Sequence, residues 1–496
     1  VRGGLVKTWL ASFLLIGALG TLWALSAPLG SGPDEGQHIV KAAAVYRGEL
    51  IGTPVPSRSP AYVDFTVPRT FGLLAFYPDC YRATPPVPAS CEGILKASST
   101  QVATPTYTGR YPPLYYLLVG WPTLLSDTGT SVYLMRIISV LVSALFIGLA
   151  VALALTYAES LVVAGAVLLA TTPAALYLSA VVEPNGLEFS SALLLWTALA
   201  LLLGKERDKV PRSLVHAAGA AATVMALTRG LSVAWLAGIL LVMLVVVAPP
   251  ARVRAVFSSR AAKLWGLATV VASGLAVAWV ATQGSLDVVA LGNRRYTAFR
   301  AFGFVIGHTL RYLMQLFGSF NPRGTHIPIA AEPFFWAALA LLVVWAVVRA
   351  GWRVRFAMLL VVAATVLAGP VLTAASIHAD GIIWNGRYLL AAAVGLPVLA
   401  GVAVDGTALA RRKAPSAVLV AVALGCQVVG IYALLRRFAV GTRGEMDILF
   451  AHVSWQPPLG VTLIAIGALA VTVLTATFVL LLAPRLLHRT PAAAQT

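Results

Sequence analysis

Apolar runs of about 20 residues recur along this chain from residue 5 to residue 482, and that repetition leaves few folds open. The hydrocarbon core of a bilayer, roughly 30 Å thick, takes about 20 residues of helix per crossing. Within it every backbone N–H and C=O must be bonded inside the structure, which helices achieve by themselves. With 59 % hydrophobic and only 11 % charged residues and a mean hydropathy of +0.86, no water-soluble fold could cover the surface. The expected fold is an all-α polytopic membrane protein of about 12 transmembrane helices. The spans fall near 5–26, 131–154, 160–181, 187–204, 213–228, 231–248, 264–281, 331–348, 356–376, 387–404, 415–434 and 459–482.

Basic residues in short loops orient the spans, because Lys and Arg are retained on the cytoplasmic side during insertion. One face collects Arg2 and Lys7; Lys205, Arg207, Lys209 and Arg212; Arg252, Arg254, Arg260 and Lys263; Arg349, Arg353 and Arg355; Arg411, Arg412 and Lys413; and Arg485 and Arg489. Only Glu159, Glu206, Asp208 and Asp405 oppose them there. Both termini are therefore expected in the cytoplasm of a multi-pass plasma-membrane protein. The pI near 10.2 reports topology and implies no nucleic-acid partner. The first span is longer than a signal-peptide apolar region and lacks a small-x-small cleavage site before Pro28, so it reads as an anchor.

Two long extracytoplasmic segments stand out among short loops, residues 27–130 and 282–330, and function is expected there. The run PPLYYLLVGWPTLL (112–125) is too short to span, and making it a span would turn the basic 205–212 loop outward. It should lie along the membrane surface, with Tyr115, Tyr116 and Trp121 suited to the interface. Residues 301–317 likewise read as a surface or re-entrant helix. Cys80 and Cys91 share the first external segment, where an oxidising compartment favours a disulfide; Cys426 lies in an apolar span and reads as packing.

Four short motifs fall at outward helix ends. GPDEGQH places Asp34 and Glu35 at the membrane boundary, with His38 one helical turn beyond Asp34. GRYPPLYY carries Arg110. VVEPNGLE carries Glu183, Asn185 and Glu188 between two spans, where a buried carboxylate needs a partner or a role. HADGIIWNGRY carries His378, Asp380, Asn385, Arg387 and Tyr388. Arg229, Arg294, Arg295 and Arg300 add outward guanidinium groups, which bind phosphate bidentately and stay charged. Each motif also has a structural reading, as an N-cap, a headgroup anchor, a tight turn or a snorkelling side chain. Walker A, HExxH, CxxC and GxSxG motifs are absent from the sequence, against ATP-driven and protease readings.

The order PDEGQH, RYPPLYY, EPNGLE, NGRYLL resembles a little-characterised bacterial family of predicted membrane proteins with PPDEPxH and GRY motifs. More broadly, an acidic motif after the first span and a large first external loop are similar to the GT-C superfamily of membrane glycosyltransferases. That superfamily includes lipid A aminoarabinose transferases, protein mannosyltransferases and mycobacterial arabinofuranosyltransferases. The resemblance implies a GT-C-like fold and an inverting transfer of sugar from a polyprenyl-phosphate donor to an envelope glycan or glycolipid acceptor, outside the membrane. Asp34 is then expected to act as base, with Arg387 and Arg110 on the departing phosphate. Glu35 and His38 are expected to orient Asp34 or, with it, to hold a divalent metal ion (Mg, Mn or Ca). Asn185 stands where an Asp is more usual and cannot serve as a base. Arg outnumbers Lys 29 to 7, in keeping with a high-GC bacterial genome. A transporter or lipid-linked sugar flippase is the competing expectation, and a scaffold in envelope assembly a third.

Overall fold

The computed structural model describes residues 2–55, 61–76, 80–84, 86–93, 95–204, 209–286, 296–321, 325–449 and 453–488. Arg294 and Arg295, the loop residues Lys205, Glu206, Arg207 and Asp208, and Arg489 lie outside them.

Helix α1 (Arg2–Leu25) is followed by α2 (Glu35–Val45), the short α3 (Leu114–Val119) and α4 (Gly129–Tyr157). Then come α5 (Val162–Ala170), α6 (Pro173–Ser179), α7 (Asn185–Leu203), α8 (Arg212–Ala226), α9 (Ser232–Leu241), α10 (Arg260–Gln283), α11 (Ala298–Gly307) and α12 (Thr309–Gly318). The chain closes with α13 (Glu332–Arg349), α14 (Trp352–Asp380), α15 (Gly395–Val404), α16 (Lys413–Val440) and α17 (Val461–Thr477). The protein is a polytopic membrane protein. Among the described residues nine helices are long and apolar enough to cross a membrane, and the α5–α6 pair makes ten. That pair bends by 63°, because Pro173 cannot donate to the preceding turn and Thr172 starts a new helix by capping Ala175 N. The two remaining expected spans correspond to α8 and to Ser232–Val247. At 15 residues, α8 reaches only about 22 Å.

Helix α7 is central: its apolar window is entirely buried, against 11 % for that of α10. It packs on α4, α8 and α15. The outward side of α10 presents Leu264, Leu267, Val270 and Leu275, a surface that hydrocarbon solvates without cost.

The first loop is not wholly helical. Strands β1 (Thr53–Pro54), β2 (Val63–Pro68) and β3 (Gln101–Thr106) form an antiparallel sheet in that order, with Val63 opposite Thr106 and Phe65 opposite Thr104. Val63, Phe65 and Val67 alternate inward with Asp64 and Thr66, the period-two pattern of a half-buried strand. Pro105 is tolerated because β3 is an edge. The sheet packs on α2.

Helix α3 has only six residues and passes into a single turn at Trp121–Leu124, so this segment does not span. Its exposed side is Leu117, Leu118, Trp121, Leu124 and Leu125. Tyr115 and Tyr116 point the other way and are buried, which removes them from the lipid-facing role expected of them. Residues 301–317 are split between α11 and α12 at His308. Cys80 and Cys91 are joined in a disulfide, and Arg437 near the end of α16 donates to Tyr81 O at 2.6 Å and Val87 O at 2.9 Å around it.

Candidate active site

Gly32 and Pro33 turn the chain out of α1, and Asp34 completes the corner in the left-handed region at φ 58°, ψ 7°. Asp is among the few non-glycine residues that tolerate this conformation. The strain is held from both sides. Glu35 is completely buried, and its two oxygens accept from Arg136 Nε and Nη2 at 2.6 Å each. They also accept from Val182 N and Gly32 N, both at 3.1 Å. Arg136 spends its other protons on Ala24 O, Ala27 O and Pro28 O, at 2.7–2.9 Å. Glu35 is thus a structural latch between the start of α2 and α4; the expectation of a catalytic or metal-ligating Glu35 fails because every acceptor position is taken from within the chain.

Asp34 differs from its neighbour. Its Oδ1 accepts from the Tyr107 hydroxyl at 2.6 Å, its Oδ2 pairs with Arg387, and 31 % of its side chain remains open against 9 % for Arg387. Burial pushes the carboxyl up, but Arg387, the Tyr107 hydroxyl and His38 outweigh it and bring it to about 2. It is ionised throughout the working range.

Arg387 is placed by the turn that starts the Gly386–Val404 span. Gly386 N donates to Gln315 Oε1 at 2.7 Å, and a Cβ on Gly386 would overlap Tyr312 O, so only glycine lets this turn seat on α12. Arg387 also reaches Glu183 Oε1 at 3.7 Å. Asn185 links the motifs: its Nδ2 donates to Glu183 and its Oδ1 accepts from Arg229. Gly186 allows this junction, since a Cβ there would overlap Ser179 Cα. Arg229 pairs with Glu188 at 3.1 Å, and Ser232 Oγ donates to the same carboxylate at 2.6 Å. The ring of Tyr388 lies beneath both guanidinium groups, 5.2 Å from Arg229 and 5.3 Å from Arg387. One continuous network therefore joins PDE, EPNG, Arg229 and GRY.

Four expected residues take other positions. His38 meets the Tyr116 hydroxyl through Nδ1 at 2.8 Å and lies edge-on to Tyr111; burial, opposed by Asp34, lowers it to about 3, so it stays neutral. Arg110 donates to Gln283 O at 3.0 Å, and its own carbonyl accepts from Trp279 and Ser285, which docks GRYPP on the end of α10. His378 is exposed near the end of α14. Tyr115 binds Ser139 Oγ at 2.9 Å and is a packing residue. No three of His, Cys, Asp and Glu converge to hold a metal among the described residues. Asp34, Glu35 and His38 are directed to three separate partners, so they do not fit as a ligand set.

Beside the network, a cavity of about 300 Å³ is lined by Arg229, Tyr111 and Tyr388 together with Leu286, Leu372, Ile383 and Trp384. One guanidinium in a largely apolar and aromatic lining suits an anionic headgroup carrying a long hydrocarbon.

The family described as "Predicted membrane protein (DUF2142)" matches residues 16–396, a stretch that contains the C-terminal part of α1, the sheet-bearing loop and every residue of this network. The chain belongs to the DUF2142 family. No curated protein matches this DUF2142 chain. Over 96 % of its length it is similar to two crystal structures of ArnT from Cupriavidus metallidurans. The apo structure is matched over 78 % of its chain at 16 % identity with a TM-score of 0.41. The structure bound to undecaprenyl phosphate is matched over 76 % at 15 % identity with a TM-score of 0.44.

The DUF2142 sequence alone does not single out Arg136, Tyr107 and Tyr111. Arg136 was findable: an arginine seven residues into a 29-residue apolar helix demands a partner. Tyr107 gave no such signal, because only the fold of β3 brings it to Asp34.

Glu183 yields a pH prediction. Its Oε2 has no hydrogen-bond partner among the described residues. Burial raises its carboxyl to about 7 against the pull of Arg387, with repulsion from Asp34 adding to the rise. Between the ordinary value of 4.5 and about 7 the folded protein binds the extra proton, so stability falls as pH rises through that window. Thermal melts of purified protein from pH 4.5 to 8 should show this slope, and Glu183→Gln should flatten it; an unchanged slope would exclude Glu183 as its source.

Proposed function

We propose that this protein is an inverting glycosyltransferase that moves a sugar from a polyprenyl-phosphate donor to an envelope glycan or glycolipid on the extracytoplasmic side. The observation that carries the reading is Asp34: an ionised, partly open carboxylate paired with Arg387, whose guanidinium shares the Tyr388 ring with Arg229 in the lining of a largely apolar cavity. A glycosyl phosphate needs little more. Its leaving group is already a stable anion, so no protein acid must protonate it, unlike the two-carboxylate glycosidases.

In this reaction the acceptor hydroxyl oxygen forms the new bond to the anomeric carbon, from the face opposite the phosphate. The bond from that carbon to the phosphate oxygen breaks, its electron pair leaves with the phosphate, and the hydroxyl proton passes to Asp34. Arg387 and Arg229 stabilise the charge arriving on the phosphate. A carboxylate held at about 2 is a weak base while Arg387 stays on it. A donor phosphate competes for that arginine, and as Arg387 turns to it, Asp34 gains basicity where the acceptor binds. The resting ion pair thus keeps the base quiet until the donor is present. Arg229 takes the phosphate-binding place first expected of Arg110.

The side assignment rests on the eighteen basic residues grouped at the other helix ends. The test is transfer by detergent-solubilised protein from radiolabelled polyprenyl-phosphate sugars to envelope lipid acceptors. Transfer without any sealed compartment supports an enzyme. Failure with every donor, together with gradient-dependent movement of the same lipids in vesicles, supports a transporter instead.

A further inference from the structure

Helix α4 runs about 32 Å from Arg136 of the latch to its end at Tyr157, where a second polar feature lies outside the transfer chemistry. The turn after α4, the segment before α16 and the helix Ala483–His488 enclose a cleft of about 670 Å³. Its floor is fixed. Asp405 accepts from Glu159 N at 3.0 Å, Ser160 N at 2.8 Å and Ser160 Oγ at 2.7 Å.

Three consecutive cations, Arg411, Arg412 and Lys413, line this cleft. Arg411 pairs with Glu159 at 3.0 Å. Arg412 and Lys413 are exposed and have no acidic partner among the described residues. They stand at the N-terminus of the 28-residue α16, whose first turn contains no acidic residue and receives no side-chain cap. Cations at the positive end of a helix dipole oppose the usual pattern, and an anion would offset both. Leu161 and Leu487 supply an apolar side to the same cleft.

We infer that this cleft binds the phosphate headgroup of an anionic phospholipid, with its acyl chain along Leu161 and Leu487. Paired positive side chains beside an apolar wall at the end of a helix bundle match such a headgroup in charge and in amphipathic form. The inference is independent of the transferase reading.

The experiment reconstitutes the full chain in nanodiscs of phosphatidylcholine with a minor share of phosphatidylglycerol and counts retained lipid by native mass spectrometry. The comparison sets Arg412→Gln/Lys413→Gln against Arg353→Gln/Arg355→Gln, which removes the same charge elsewhere on that end. At about 1 kcal/mol for each cation, the first variant should bind phosphatidylglycerol about thirty-fold more weakly while the control stays near wild type. Matching melting temperatures would show that both are folded. Equal retention in all three proteins, or equal loss in both variants, would overturn the site. Displacement of the lipid by millimolar inorganic phosphate would assign the cleft to a free anion and overturn the lipid.

Discussion

Asp34→Asn is expected to fold, to bind donor and to transfer sugar about 10²- to 10⁴-fold more slowly, the range a positioned base contributes. The substitution isolates chemistry from structure. Position 34 sits at φ 58°, which Asn adopts as readily as Asp, so the corner survives. The Tyr107 hydroxyl can still donate to an amide oxygen, and Arg387 still has Glu183 at 3.7 Å. Alanine makes the contrast: with no side chain to bond locally in the left-handed region, Asp34→Ala should lose about 1–2 kcal/mol of stability as well as activity. Rates at saturating donor, donor affinity and melting temperature, measured on the three proteins, separate these effects. An Asp34→Asn variant turning over at the wild-type rate would remove Asp34 as the base, whatever the donor proved to be.

The largest effect on stability is expected at Arg136, which touches no proposed substrate. Arg136→Met should cost about 3–5 kcal/mol, the usual result of removing one partner from a buried pair. Both side chains are fully buried, so Glu35 would be left charged without a counter-ion or forced to take up a proton. Ala24 O, Ala27 O and Pro28 O would each lose the guanidinium donor, with Ser31 left on Pro28 O. The double variant Arg136→Met/Glu35→Met should recover much of the loss, because an apolar pair of similar volume often replaces a buried ion pair at little cost. Its activity should stay low, since the Asp34 corner would have lost the contact that fixes it. Melting temperatures in detergent give the coupling, and additive losses in the double variant would show that the two residues act separately.

Much of the fold was legible because hydrophobic thickness imposes a length on every span. All twelve apolar segments coincide with helices. The α5–α6 bend is a local Pro173 effect that a hydropathy window averages away. The first-loop sheet was missed although VDFTV alternates, because six residues among prolines and glycines give a faint signal. At the site, Asp34, Glu183, Asn185, Arg229 and Arg387 were all singled out, because charged or amide groups at helix ends are conspicuous in so apolar a chain. What the sequence could not divide was the labour of adjacent acids. Asp34 and Glu35 differ by one position, and the difference between an open carboxylate and a sealed one depends on Arg136, 101 residues beyond Glu35. Arg110 and His38 were placed by type, whereas contacts with Gln283 and Tyr116 decide where they point.

The two ion pairs also set an order of assembly. Glu35 meets Arg136 across 101 residues, whereas Asp34 meets Arg387 across 353. At synthesis rates of about 5–20 residues per second, the first partner emerges about 5–20 s after the acid and the second about 18–70 s after it. For about 13–50 s the nascent chain holds a corner whose aspartate has Tyr107 but not yet Arg387. The half of the protein that presents the acid is therefore locked before the half that masks it has been made.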